Sequence, residues 1–338
     1  MAAPRMEDQP PRSKRIEFPG FFDLQVNGFA GVDFNDPRTE EAELLRAIAA
    51  LRATGVTRFL PTLITSPLEN FLRCANHLLR LKHPAIAGIH MEGPYISPED
   101  GPRGAHPQGC VLSASVQDFQ RRQEAAAGQI RLVTLAPEVP GAIHLIEFLV
   151  RNDVRVAIGH SAASPENIRE AIAAGATLST HLGNGCASAL PRHPNLIWEQ
   201  LAADELYATL IVDGHHLPPA TVKTMVRAKT PARTLLVTDA ISAAGCAPGE
   251  YEFNGGRVVL EPSGRVAQPG KPWLAGSALT MDRAVANTVQ FTGLALEEIL
   301  PMASTQPAKY IGLKTAGAIT ADWDEAGHRL ANLKISGD

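Results

Sequence analysis

From residue 18 onward, short apolar runs alternate with longer stretches in which apolar positions recur every three or four residues. The first pattern is that of strands covered on both faces, the second that of amphipathic helices, and their alternation marks parallel βα units. Eight runs read as strands, over residues 21–28, 57–63, 85–92, 130–136, 155–160, 177–182, 207–213 and 234–239. Between them, Leu44, Leu45, Ile48 and Leu51 share a helical face ahead of Gly55, and Leu68, Phe71, Leu72, Ala75, Leu78 and Leu79 repeat the pattern. Ser164-Pro165-Glu166 has the form of a helix start, with Ser as N-cap and Pro in the first turn. A helix over 116–126 has the thinnest apolar pattern.

Eight strands joined by helical crossovers predict an α/β chain folded as a (β/α)8 barrel, a fold of about 250 residues whose chemistry sits at the C-terminal strand ends. After the eighth strand, residues 251–267 alternate and contain Asn254-Gly255-Gly256 and Pro262-Ser263-Gly264, which predicts a β-hairpin insertion. Helical patterns resume over 279–292 and 295–303. Residues 1–17, rich in Pro, Arg and charge, read as a flexible leader or the remnant of a short strand. The barrel domain then spans 18–312, and 313–338 forms a tail with one or two strands.

Composition narrows the possible partners. The chain has 338 residues, 45% hydrophobic and 20% charged, which is enough for a large core. A formal net charge of −4 and a pI near 6.3 give no footprint for nucleic acid or an acidic membrane surface. No apolar run approaches the roughly 20 residues of a membrane helix. The N-terminus lacks the apolar core of a secretion signal, so a cytoplasmic location is expected. Cys74, Cys110, Cys186 and Cys246 are far apart and form no CxxC pair, which argues against disulfides and a thiolate zinc site.

The barrel pattern gives the strand ends a meaning. Glu92 closes the third strand within His90-Met91-Glu92-Gly93-Pro94, His160 closes the fifth, His181 the sixth and Asp239 the eighth, while Gln25 and Asn27 stand at the end of the first. Each alone has an ordinary reading: a strand-end Glu in solvent or beside an Arg, a hydrogen-bonded structural His, an Asp capping a turn. Convergence on one mouth outweighs those readings. One carboxylate and two imidazoles suffice for a catalytic zinc or iron site with water in the remaining position. Asp239 follows the apolar Leu235-Leu236-Val237, so its pKa is open to tuning, and it could bind metal or shuttle a proton. His106, Asn184, Arg192 and His216 lie on loops around this ring, and Arg with His favours an anionic group such as phosphate. His215 is ambiguous, and Cys186 has no adjacent base that would make it a nucleophile.

Over residues 19–312 these segments resemble the N-acetylglucosamine-6-phosphate deacetylases of the amidohydrolase superfamily. Phe21-Phe22-Asp23-Leu24-Gln25-Val26-Asn27-Gly28 is similar to the family's opening strand, with Gln and Asn in place of the superfamily's His-x-His pair. Leu60-Pro61-Thr62-Leu63, His90 to Pro94, Arg103-Gly104-Ala105-His106, Gly159-His160-Ser161, Thr180-His181-Leu182, Asp213-Gly214-His215-His216, Val237-Thr238-Asp239-Ala240 and Leu274-Ala275-Gly276-Ser277 follow in family order. The resemblance implies one divalent metal, Zn2+ first and Fe2+, Co2+ or Mn2+ as alternatives, held by Glu92, His160 and His181. It implies Asp239 as general base and then acid, and His106 beside the acetyl carbonyl. It further implies Arg192 and His216 at the sugar phosphate, with Gln25, Asn27, Asn184, Gly185 and Leu274 around the substrate. The phosphate-binding Arg can come from a neighbouring subunit in this family, so a homodimer is implied as well.

Two features depart from the family pattern. Asn184-Gly185-Cys186 stands where the family has Asn-Ala-Met, which alters the pocket wall and leaves N-acetylgalactosamine 6-phosphate as an alternative substrate. The small β-sandwich that usually joins the termini is short of sequence at both ends and is expected to be partial. A binuclear cyclic amidase of the dihydroorotase type would lean on His-x-His and a bridging Lys, which Gln25-x-Asn27 and the Lys-free fourth strand do not supply. A noncatalytic sugar-phosphate sensor would have no need of Asp239.

Overall fold

The computed structural model describes residues 13–270 and 274–337. Strand β1, Ser13–Pro19, lies outside the barrel, and the eight barrel strands follow it: β2 Phe21–Val26, β3 Val56–Ile64, β4 Ile89–Glu92, β5 Ile130–Leu135, β6 Arg155–Ile158, β7 Leu178–Ser179, β8 Tyr207–Leu210 and β9 Thr234–Leu236. They pair in parallel in the order β9-β8-β7-β6-β5-β4-β3-β2. A parallel bridge between Val26 and Ala240, with Asp239 N donating to Gln25 O at 3.0 Å and Asn27 N to Ala240 O at 2.7 Å, brings the two ends of the sheet together. The result is an eight-stranded, near-closed barrel.

Helices α1 Glu41–Arg52, α2 Leu68–Arg80, α3 Val116–Ala125, α4 Ala142–Arg151, α5 Pro165–Ala173, α6 Leu196–Ala202 and α7 Pro219–Lys229 are the crossovers, with α8 Met281–Thr292, α9 Leu296–Ala303 and α10 Thr305–Tyr310 after the last barrel strand. Ser164 caps α5 as its sequence predicts, its side chain accepting from Asn167 N at 3.3 Å. The thin pattern of α3 reflects what it buries, Phe119 and Arg122 alone, behind a Ser115 N-cap.

Two three-stranded sheets flank the barrel. Residues 251–267 lie in a three-stranded antiparallel sheet, β10 Gly249–Phe253, β11 Gly256–Leu260 and β12 Val266–Ala267, one strand more than a hairpin. Its Phe253, Val258, Leu260 and Val266 form a separate apolar cluster with Ile64, Ile241 and Ala275 at the rim of the barrel. The termini meet in the other sheet: β1 pairs antiparallel with β13 Ala318–Asp324, which pairs with β14 Arg329–Ser336. Ser13 to Glu17, in the stretch read as a leader or remnant strand, therefore belong to a strand, whereas residues 1–12 lie outside the described residues. Phe18, Ile319, Ala321, Trp323 and Leu330 join the barrel's main apolar core, so this sheet packs as part of the same body. Among the described residues no helix is long and apolar enough to cross a membrane.

Candidate active site

The strand ends meet at the C-terminal mouth. His181 Nε2 lies 3.1 Å and His160 Nε2 3.3 Å from Glu92 Oε1, and the two imidazole nitrogens are 3.1 Å apart. Ligand bonds of about 2.0–2.1 Å around one tetrahedral ion put neighbouring donors about 3.3 Å apart, so this buried triangle has the dimensions of one face of such a site. His160 Nδ1 lies 2.9 Å from Pro102 O; donating there makes Nδ1 the protonated nitrogen and leaves the Nε2 lone pair facing the centre. A ligand atom from each of Glu92, His106 and His160 also lies within 4.8 Å of the others. His106 is the looser member: its Nε2 is 3.8 Å from Glu92 Oε2, and its Nδ1 pairs with Thr65 Oγ1 at 2.8 Å. The buried Glu and His residues can thus hold a metal ion, with His106 beside the tight triangle.

Asp239 stands next to that triangle, half-buried at the mouth. Its Oδ1 accepts from Asn27 Nδ2 at 2.7 Å and from Gln25 Nε2 at 3.0 Å, and the same Gln25 nitrogen donates to Glu92 Oε1 at 2.8 Å. Gln25 and Asn27, expected at the substrate, here direct their amide N–H groups at the two carboxylates. The backbone conformation that aims these groups is unusual: His160, His181 and Asp239 have φ of 50°, 29° and 50°. A non-glycine residue in the left-handed region costs on the order of 1–3 kcal/mol, and such outliers gather at functional sites. The ladders also stop short of these residues, β7 at Ser179 and β9 at Leu236.

The electrostatics assign different states to neighbouring groups. Burial disfavours the Glu92 carboxylate, but the imidazoles of His160 and His181 prevail and hold its carboxyl well below the usual range. Burial, reinforced by His160, holds His106 well below the ordinary histidine value, so it is neutral at pH 7. Desolvation and then the charge of Glu92 raise Asp239 to about 6, near the pH at which a general base works best.

The remaining expected residues occupy the loops. His216 is fixed by Asp213, whose Oδ2 lies 2.6 Å from Nδ1 and whose Oδ1 accepts from the backbone of His215 and His216. Asn184 Nδ2 donates to His181 O at 3.2 Å, and Gly185 O accepts from Ser161 N at 3.1 Å. At Gly185, with φ +57°, a Cβ would come 3.0 Å from His160 Nδ1, so a side chain here would crowd the imidazole. Leu274 is half-buried and bridges to Ala267 of the inserted sheet, and His215 Nε2 meets that sheet at Ser263 O, 3.0 Å away. Arg192 is not brought into the cluster: it is exposed, and its guanidinium has no partner among the described residues. Cys186 is raised by burial and faces Gly183 O, with no base beside it.

Three supporting residues escaped the sequence reading. Thr65 holds His106, and Glu138 accepts from Ser161 Oγ at 2.8 Å and Ala162 N at 2.6 Å, directly after His160. Asp23, fully buried, accepts from Thr238 Oγ1 at 2.6 Å beside Asp239. Asp23 had a signal, because Asp23, Gln25 and Asn27 alternate along one strand and so share a face. Thr65 and Glu138 follow strands that supply no metal-type ligand, and nothing local marks them.

The amidohydrolase family model matches residues 16–324. An N-acetylglucosamine-6-phosphate deacetylase of Lysinibacillus sphaericus is 34% identical over 322 residues, covering 94% of this chain and 82% of its own length. An N-acetylgalactosamine-6-phosphate deacetylase of Escherichia coli O157:H7 is 34% identical over 308 residues, covering 89% and 80%. The solved N-acetyl-D-glucosamine-6-phosphate deacetylase of Mycobacterium smegmatis superposes with a TM-score of 0.88 at 30% identity, over 99% of this chain and 90% of that one. A mutant of that enzyme solved in complex with N-acetyl-D-glucosamine-6-phosphate gives the same TM-score of 0.88 at 29% identity. With its strand-end Glu, His and Asp gathered at the mouth of the barrel, the chain belongs to the amidohydrolase family, in the branch of the amino-sugar-phosphate deacetylases.

Proposed function

We propose that the chain hydrolyses N-acetylglucosamine 6-phosphate to glucosamine 6-phosphate and acetate, with one divalent ion, zinc first, held by Glu92, His160 and His181. The observation that carries this reading is the triangle with 3.1–3.3 Å edges beside a carboxylate poised near pH 6. When bound, the ion supplies Lewis acidity to the acetyl oxygen and lowers the pKa of a water. Asp239 takes a proton from the attacking water as the new C–O bond forms. It then returns the proton to the nitrogen as the C–N bond breaks, so the amine leaves as a neutral group. His106, neutral and accepting from Thr65 through Nδ1, offers its Nε2–H to the acetyl oxygen. His216, oriented by Asp213, and Arg192 bind the phosphate, while Asn184, the Gly185 backbone and Leu274 line the sugar. Arg192 is exposed with no partner among the described residues, which leaves it free to reach the phosphate of a second copy in the homodimer that the resemblance implies.

N-acetylgalactosamine 6-phosphate is the second reading, favoured by the N-acetylgalactosamine-6-phosphate deacetylases among the relatives at 34–35% identity. Acetate release from the two 6-phosphates and from unphosphorylated N-acetylglucosamine, by protein loaded with zinc, tests the choice. N-acetylglucosamine 6-phosphate should give the highest kcat/KM. A higher value for the galactosamine epimer would transfer the assignment to it, and release from none of the three would overturn the deacetylase reading.

A further inference from the structure

We propose that Gln25 and Asn27 are positioning residues that dedicate one oxygen of Asp239 to the proton transfer; the inference rests on Asp239 being the base of the proposed reaction. A carboxylate has two oxygens and about four acceptor positions. Here Oδ1 takes both amide donors, Asn27 Nδ2 at 2.7 Å and Gln25 Nε2 at 3.0 Å, and among the described residues none donates to Oδ2. The two oxygens are therefore unlike. Oδ1 is taken up by the two amides, and Oδ2, with no donor among the described residues, is the one that receives the proton from water and hands it to the departing nitrogen.

The orientation of the clamp is determined by its surroundings. Gln25 and Asn27 are 1% and 3% exposed, so both amides are walled in by the barrel. Turning either amide over would set its carbonyl oxygen against the Asp239 carboxylate. Gln25 is tied further, because the nitrogen that reaches Asp239 also donates to Glu92 Oε1 at 2.8 Å. Main-chain bonds clamp the same place: Asp239 N donates to Gln25 O, Asn27 N to Ala240 O, and Thr238 is held by Asp23. The side-chain and main-chain contacts together keep Asp239 in its left-handed conformation at the one seam where the barrel closes. A base held this way loses rate rather than affinity when its supports are removed.

A double-mutant cycle on the zinc-loaded enzyme tests this. Asn27→Leu and Gln25→Met keep bulk and remove the donors, and each should lower kcat about 10- to 100-fold with KM within about threefold and zinc content unchanged. Placed in an Asp239→Asn background, either substitution should add less than about a threefold loss, because it acts only through the carboxylate that is already gone. Losses that multiply in that background, or that fall on KM, would overturn the clamp and return the two residues to the substrate. Loss of zinc from Gln25→Met would assign Gln25 to Glu92 instead and overturn its half. If Asp239→Asn alone remains active within about tenfold of wild type, it is the base assignment that fails, a result separable from the others. Asn27→Ala serves if Asn27→Leu does not fold.

Discussion

At the scale of single residues, the site works by giving like groups unlike protonation. As the proposed base, Asp239 would act in its ionised form, so kcat/KM should fall as the pH drops through about 6, and a pH–rate profile without an acid limb would contradict that role. Asp23 provides a separate test through stability. Its burial raises the folded pKa from 3.8 to about 7, so the folded protein binds that proton more tightly than the unfolded chain. The contribution is fully present below about 3.8 and is lost as the pH rises through about 7. Asp23→Asn has no such group, so its thermal midpoint should fall less than that of wild type over this window; parallel curves would mean that Asp23 does not titrate there. Glu92, His160, His181 and Asp239 were legible in the sequence because each polar residue ends an apolar run, which burial alone would not allow. The partners of Gln25 and Asn27 were not legible. Alternation says that a side chain faces the barrel interior, but which carboxylate it meets depends on the closure of β2 against β9.

At the scale of elements, the strands that carry no ligand brace those that do. Thr65 follows β3 and fixes His106, Glu138 follows β5 and fixes the turn after His160, and Asp213 follows β8 and fixes His216. Glu138 holds the two residues that follow His160, whose φ is 50° and whose carbonyl accepts from Ser97 N at 2.9 Å. Glu138→Ala should therefore weaken zinc binding about 10- to 100-fold in a chelator competition, the usual cost of losing an outer support. Unchanged zinc affinity with a lowered thermal midpoint would make Glu138 a purely structural residue. The barrel was readable as alternating patterns because its strands are short, largely apolar runs buried along nearly their whole length. The ladders end earlier than those patterns, ahead of His181 and Asp239, and a left-handed residue leaves no mark in hydrophobicity. The third strand of the inserted sheet is just Val266–Ala267, too short for alternation to register.

At the scale of the whole molecule, the proposed second copy has two exposed side chains to account for. Arg192 is exposed with no partner among the described residues, and Trp198, on α6 just beyond it, is 50% exposed where tryptophan is ordinarily covered. If Arg192 binds phosphate in the partner's site, a mixture of Arg192→Ala and Asp239→Asn protomers regains activity, because the hybrid contains one site with both groups intact. No recovery on mixing and re-equilibration would keep Arg192 in its own subunit or away from the substrate. This arrangement was beyond sequence reading on physical grounds alone, since an exposed Arg among prolines resembles any surface loop. The central claim is that a metal-holding triangle and a separate proton shuttle share this mouth. Single-turnover hydrolysis of N-acetylglucosamine 6-phosphate by Asp239→Asn, with zinc measured in the same sample, tests it most directly. The variant should retain zinc at the wild-type level and lose at least about 10²- to 10⁴-fold in rate; a zinc-loaded variant that cleaves the amide within about tenfold of wild type would contradict the account.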